Sequence, residues 1–167
     1  MTSRTIDNGF KPTLAEFKAH LRIVSNDLDT DLTAKLKAAI LYAEHYIGLT
    51  IAKSTFVKTC AFSTTVRLRT PLIGVTSVKV GDTTLQTTDW SVADGVLTII
   101  GGYDAQADIQ VTYTAGMEAV PDDMTAAIML HAAALFTNPV DSVETLPKAS
   151  QNLLRSYRSW GLKQDID

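Results

Sequence analysis

The sequence predicts an α+β protein in which a small helical bundle carries an inserted antiparallel β subdomain. Apolar residues recur at helical spacing before about residue 50 and again after residue 120, whereas a period of two holds between residues 54 and 115. This order of helices, strands and helices favours flanking helices that pack together around one inserted sheet region. The expected parts are an N-terminal helical part (1–53), the β subdomain (54–116) and the C-terminal helices (117–167), which together form one structural unit.

The first organised element is expected to begin at Thr13. Its hydroxyl can cap a helix while Glu16, three residues later, reaches back to the backbone of the cap, so the pair forms a capping box. Leu14, Phe17 and Leu21 follow at helical spacing, which predicts a helix that ends near residue 23.

A second helix is predicted from Asp29 or Thr30 to Ile47. Acidic residues at its start complement the helix dipole, and Gly48 follows where a left-handed cap is expected. The predicted buried face consists of Leu32, Leu36, Ala39, Ile40, Ala43 and Ile47.

Short segments rich in β-branched residues then predict about five to seven strands between residues 54 and 115. Asp94-Gly95 is a hairpin signal, since both residues tolerate positive φ. The clearest segments are 56–60, 66–69, 75–80, 97–100 and 109–113.

A third helix is predicted to begin at Pro121, which suits the first helical turn because its missing N–H has no intrahelical partner there. It is expected to end at Asn138, which precedes a proline. A last helix is predicted after Leu146-Pro147, running towards Trp160.

Composition excludes several classes of protein. The 167 residues are 46% hydrophobic and 20% charged, which is enough apolar material for a folded core. The formal net charge of −3 argues against electrostatic binding of nucleic acid. A single cysteine, Cys60, rules out an internal disulfide framework, and no apolar run reaches the length of a membrane span, so we expect assembly in a reducing cytosol without a membrane partner.

No motif predicts catalysis, a metal site or a cofactor. His20, His45 and His131 lie on separate predicted helices without a second ligand at i+3 or i+4. The alternating aspartates of residues 27–31 begin like a calcium loop, but leucine stands where the loop requires glycine. Serine in a nucleophile elbow and a glycine-rich phosphate loop are both missing from the sequence.

Arg67 and Arg69 alternate with two apolar residues. The alternation predicts that both guanidiniums lie on one face of a strand, away from the β core. Such a pair is a second candidate interface for acidic partners, although a solvated strand face is the simpler explanation.

Four motifs, in order, resemble the head-tail connector, or adaptor, proteins of tailed bacteriophages, in the version that carries a β insertion. The opening helix LAEFKAHLRI and the second helix AAILYAEHYIG, ending in glycine, are similar to the first two helices of that family. The β segments PL, VTSV and VTYTAG are similar to its insertion, and the closing LP followed by LLRSYR is similar to its C-terminal pattern. Together they extend over residues 14–158.

This resemblance implies a structural virion protein of the neck, without catalysis or cofactors. It implies a ring of about twelve copies beneath the portal protein, which extends the DNA channel and offers a surface to the tail or a tail-completion protein. DNA would pass through this channel without specific binding. The family's C-terminal segment tends to reach towards the portal, and arginine and aromatic residues are frequent in interfaces, so the closing helix is predicted to dock on the portal. The docking residues are Leu153, Leu154, Arg155, Tyr157, Arg158 and Trp160.

Other interpretations stay open. Leu153, Leu154 and Tyr157 are also expected to pack on the first helices if they belong to the core. A tail-completion or tail-terminator ring is a neighbouring structural function. A small carbohydrate-binding domain is a different class, for which Trp90 and Tyr103 are slight support.

Overall fold

The computed structural model describes residues 1–6, 11–103, 106–138 and 147–158. The chain divides into two compact units. The described parts of Gly9–Ala52 and Glu118–Leu162 form a helical unit, and those of Met1–Asn8 and Lys53–Met117 form a β unit. Helices and antiparallel sheets together confirm the α+β prediction.

The helical unit contains four helices, which are α1 (Leu14–Leu21), α2 (Asp29–Ile47), α3 (Asp122–Thr137) and α4 (Lys148–Leu154). A 3₁₀ turn, Arg155–Tyr157, continues directly from α4. Helix α2 packs against α1 and α3, and α3 packs against α4.

The predicted start of α1 and the predicted boundaries of α2 agree with the structure because their local signals are strong, whereas α1 ends slightly earlier than predicted, at Leu21. Thr13 accepts a hydrogen bond from the Glu16 backbone while the Glu16 carboxylate accepts one from the Thr13 backbone, which is the expected capping box. Helix α2 ends at Gly48, whose φ of 74° is the left-handed cap that glycine adopts readily. All six residues of its predicted apolar face are buried.

Helix α3 carries no charged side chain after Asp123, and its inner face is buried. That face consists of Met124, Ala127, Ile128, His131 and Ala132. Pro121 stands at the N-cap position, one residue before the first helical turn in which the sequence placed it. Asn138 ends the helix as predicted.

The β unit contains eight strands in the described residues. They are β1 (Thr2–Ile6), β2 (Ser54–Cys60), β3 (Thr65–Arg67), β4 (Leu72–Val80), β5 (Thr83–Thr84), β6 (Trp90–Ala93), β7 (Val96–Ile99) and β8 (Ile109–Ala115). A five-stranded sheet has the order β1-β2-β8-β4-β5, and a three-stranded sheet has the order β3-β7-β6. Residues from both sheets, such as Val111 and Leu97, share one buried cluster.

Two features of the β unit separate what the sequence predicts from what it misses. The predicted Asp94-Gly95 turn joins β6 to β7, with φ values of 50° and 72°. Strand β1, by contrast, precedes Thr13, where the first element was expected, and pairs antiparallel with β2 from Thr2↔Lys58 to Ile6↔Ser54. The sequence therefore missed one edge of the larger sheet.

Candidate interface of the C-terminal helix

Helix α4 is fixed to α3 by its inner face. Ser150 is fully buried and its hydroxyl donates a hydrogen bond of 2.6 Å to the carbonyl of Ala127. Leu154, one turn later, is 0% exposed. Burial of a leucine side chain stabilises a fold by about 2 kcal/mol, so this contact holds the helix in a defined orientation.

The 3₁₀ turn that follows is held at Tyr157. Its hydroxyl donates to the carboxylate of Asp123, with oxygen–oxygen distances of 2.7 and 2.9 Å. The hydrogen bond to Asp123 raises the pKa of Tyr157, because a nearby carboxylate disfavours a phenolate. Asp123 lies in the first turn of α3, where the helix dipole favours a negative charge.

Arg158 is the last described residue, and its guanidinium carbon lies 5.4 Å from the centroid of the Tyr46 ring. A guanidinium at this distance interacts favourably with an aromatic face. Tyr46 belongs to α2, so the C-terminal segment contacts two different helices of its unit.

The predicted docking residues thus divide into an inner and an outer group. Leu154 lies in the core, which is the alternative that the sequence left open, and Leu153 and Tyr157 are half-buried. Arg155 and Arg158 are exposed. Trp160 lies outside the described residues. Docking on a partner stays a prediction for every member of the set.

The second candidate pair, Arg67 and Arg69, consists of residues that differ in exposure. Arg67 is the last residue of β3 and is exposed, while Arg69 follows the strand and is half-buried. The guanidinium carbon of Arg69 lies 5.5 Å from the centroid of the Phe56 ring. That of Arg4, in β1, lies at the same distance from the same ring.

The sequence did not identify Arg4, Tyr46 and Asp123 as residues that contact the candidate sites. Arg4 required the recognition of β1, whose residues carry little apolar alternation. Tyr46 and Asp123 are distant in sequence from Arg158 and Tyr157, and surface contacts of this kind leave no periodic signal.

The histidines differ in their exposure. His20 and His45 are exposed, whereas His131 is buried, and no three metal-ligating side chains converge within the described residues. Trp90 and Tyr103 pack against the β core. A shallow depression in the β unit is lined by Thr59, Lys79, Gly81, Asp82, Asp108 and Gln110. In the part of the chain that the structure describes, no helix is long and apolar enough to cross a membrane.

Solved structures with the same fold come from the neck and virion of gene transfer agent particles. A chain from the neck of the empty particle, computed with C6 symmetry, superposes with a TM-score of 0.78 at 20% sequence identity, and the alignment covers 96% of each chain. A chain from the virion of the native particle gives 0.76 at 21% identity, and one from the native neck, computed with C12 symmetry, gives 0.74 at 20%, with the same coverage. No curated protein matches the sequence.

The fold is a helical unit with an inserted β unit, and Arg155 and Arg158 are exposed after helix α4. Residues 12–132 match the model of the head completion protein family, and this match spans well over half of the chain. The chain belongs to the head completion protein family. The match ends within α3, so α4 and the residues after it lie beyond the matched part.

Proposed function

We propose that the protein is a structural head-tail connector that forms a ring below the portal, extends the DNA channel and joins the capsid to the tail. The observation that carries this proposal is the superposition over 96% of both chains with a protein from a particle neck, with a TM-score of 0.78. Membership of a head completion family supports the same place in the virion, reached after assembly in the host cytoplasm.

The ring contains about twelve copies in this proposal. The two necks were computed with C6 and with C12 symmetry. A ring of twelve identical subunits satisfies both symmetries, because C12 contains C6, whereas a single ring of six satisfies only the lower one. Subunits of such a ring meet through two different surfaces, one on each flank, and the rotation between them must close.

The channel function requires that DNA slides without being held. The formal charge of −3 supports this, since proteins that grip DNA release counterions through clustered lysines and arginines. Two lysines of the helical unit are also paired with nearby aspartates. Lys18 is paired with Asp29 at 2.7 Å, and Lys35 with Asp31 at 3.7 Å.

Portal docking is assigned to the outer surface of α4 and the residues after it. Arg155 and Arg158 are exposed there and Leu153 is half-buried, a combination of cation and apolar surface that is frequent at interface centres. Trp160 joins this set from the sequence. The predicted partners are therefore copies of this chain, the portal, and the tail or a tail-completion protein, and the role is structural instead of enzymatic.

Native mass spectrometry of the full chain, with and without purified portal rings, tests the proposal. We expect a complex of about twelve copies per portal ring. The double variant R155A/R158A should weaken portal binding, while K148A, an exposed cation at the start of the same helix, should not. Truncation before α4 is a poorer test, because it also removes Ser150 and Leu154 from the core. Full portal binding by R155A/R158A would overturn the docking assignment, and absence of any portal complex would overturn the connector proposal.

A tail-terminator ring is the second candidate function. The C6 symmetry of one neck is compatible with it, because tail tubes and their terminators are commonly six-fold. A stable hexamer that binds tail tubes and ignores portal rings would support this function.

A further inference from the structure

Three cations of the β unit lie close together at the end of β3. Arg67 is the last residue of this strand, and Arg69 lies two residues later, after Leu68, which is 2% exposed. Lys58, in β2, extends its ammonium group to the carbonyl oxygen of Arg67 and donates a hydrogen bond of 3.0 Å to it. We call Lys58, Arg67 and Arg69 the basic cluster.

The guanidinium of Arg69 lies over a packed surface. Its carbon is 5.5 Å from the centroid of the Phe56 ring, which is 1% exposed and stacks on Tyr113 with the centroids 5.3 Å apart. Phe56 and Lys58 are two residues apart in β2, so they share one face of the strand. The backbone N–H of Arg69 donates to the hydroxyl of Tyr113 at 3.4 Å. A guanidinium stacked on a ring keeps its N–H edge available for a ligand and loses less conformational entropy when the ligand binds.

The positive charges of the basic cluster are not neutralised by described carboxylates. None of Lys58, Arg67 and Arg69 forms an ion pair with an aspartate or glutamate in the described ranges of the chain. Continuation of the β3–β7 register places Asp94 opposite Arg69, but these two residues are not paired. Neighbouring cations repel one another, so an anion that lies between them is favoured.

We propose that the basic cluster binds an extended acidic segment of another protein, with carboxylates at alternate positions. The burial of residues 66–69 alternates as in a strand. In extended chains, side chains at i and i+2 lie on one side and about 7 Å apart, so Arg67 and Arg69 match two carboxylates spaced in the same way. Each guanidinium can accept one carboxylate through two parallel hydrogen bonds, and Lys58 adds a third positive charge. Binding at this cluster requires neither the ring nor the portal.

The number and placement of the cations favour an acidic protein segment over nucleic acid. A duplex is held through many phosphate contacts along its backbone, whereas the basic cluster offers three cations on a chain with a formal charge of −3. Arg69 is also half-buried. A carboxylate on a flexible side chain reaches a recessed guanidinium more easily than the phosphates of a stiff duplex do.

Titration of two peptides into the ¹⁵N-labelled full-length protein tests the proposal. The probe, Ac-SESESES-NH₂, carries glutamates at alternate positions, and the control, Ac-SSEEESS-NH₂, has the same composition with adjacent glutamates. The Arg Nε–Hε signals of Arg67 and Arg69 are assigned from R67K and R69K variants. We expect both signals to shift with the probe, and the control peptide to bind about threefold more weakly because it cannot place one carboxylate on each arginine.

Variants of the cluster provide the second measurement. R67Q and R69Q should each weaken binding of the probe about threefold, and the double variant about tenfold, since each removes one ion pair. K79Q removes an exposed lysine of the same unit and should bind like the wild type. R67Q changes an exposed side chain, so its effect is separable from any change in folding caused by R69Q.

Three results would overturn the proposal. One is that the Arg67 and Arg69 signals stay in place at millimolar probe. Another is that the two peptides bind with equal affinity, because the spacing of the carboxylates would then not matter. The third is that a short DNA duplex binds the same arginines more tightly than the probe does, which would identify phosphates as the ligand.

Discussion

The hydroxyl of Tyr157 donates a hydrogen bond to the carboxylate of Asp123, which lies 34 positions earlier in the chain. This bond joins the turn after α4 to the first turn of α3, and the pKa of Tyr157 is raised above its ordinary value because the phenol is bonded to an anion. In the folded chain the phenol thus keeps its proton to a higher pH than in the unfolded chain. The stabilisation is present below the unfolded pKa of about 10 and is lost as the pH rises through the folded pKa.

The first prediction concerns this bond. In D123N the pKa of Tyr157 should fall towards its ordinary value, since the amide carries no charge. Phenolate absorbance during a pH titration measures the change, with Y157F identifying the signal. Y46F is the matched control, because it removes the hydroxyl of another tyrosine of the same unit while keeping the ring beneath Arg158. A pKa of Tyr157 that is the same in D123N and in the wild type would contradict the assignment.

The second prediction separates the core residue of α4 from its surface residues. L154A should lower the free energy of unfolding by about 2 to 4 kcal/mol, because a fully buried leucine leaves a cavity when it is truncated. R155A should change stability by less than about 0.5 kcal/mol, since the side chain is exposed. R155A/R158A should nevertheless weaken binding to the portal by about tenfold or more. Urea unfolding and surface plasmon resonance give the two quantities.

The assignment requires that L154A affects urea unfolding and that the arginine variants affect portal binding. A folded L154A protein that binds the portal normally would fit a core role. An R155A protein that unfolds early would show that Arg155 is part of the fold and not of the docking surface.

The third prediction concerns Glu44, which is 8% exposed at the end of α2. One oxygen, Oε1, accepts the backbone N–H groups of Ile51 at 2.7 Å and Ala52 at 2.9 Å, and so fixes the chain as it leaves the helix. E44A leaves two buried donors without this acceptor and should cost about 2 to 3 kcal/mol. E44Q retains an oxygen at the same place without the charge and should lose about half as much.

Urea unfolding of E44A and E44Q, with E118A as the control, checks this order. Glu118 is an exposed acid of the same unit, so its removal should leave the midpoint unchanged. Equal losses in E44Q and E44A would show that the charge, and not the position of the acceptor, is what stabilises the segment.

The difference between local and long-range signals explains how much of the fold the sequence predicts. The boundaries of α2 follow from its apolar stripe and Gly48, and the β6–β7 turn follows from Asp94-Gly95, because each signal acts within a few residues. Strand β1 is not predicted from the sequence, because TSRTI contains only one strongly apolar residue and its pairing partner, β2, is some fifty residues away. The order β1-β2-β8-β4-β5 is likewise set by tertiary pairing, which a local pattern does not encode.

The residues of the candidate interface are likewise predicted only in part, because their burial depends on tertiary contacts. The sequence identifies the residue types of LLRSYR, but the assignment of Leu154 to the core and Arg155 to the surface depends on where α3 lies against α4. Periodicity alone allows either face of a short helix to be buried. The partners Asp123 and Tyr46 belong to other helices, so only the folded chain brings them to Tyr157 and Arg158.

The last prediction concerns pH and His131, which is 3% exposed on the inner face of α3. Its Nδ1 is buried without a hydrogen-bond partner in the described structure, and its ring lies 5.1 Å from that of Tyr42. Burial lowers the pKa of His131 below the ordinary value of 6.5, since an imidazolium would lose its hydration. The unfolded chain thus takes up a proton at a higher pH than the folded chain does. Stability from this residue is complete above pH 6.5 and is lost as the pH falls through the lowered pKa, by at most about 1.4 kcal/mol per pH unit.

H131L should therefore lose less stability than the wild type between pH 7 and pH 5, measured by urea unfolding, while H45Q, which removes an exposed histidine, should follow the wild type. Parallel pH profiles for H131L and the wild type would show that His131 is not the titrating group.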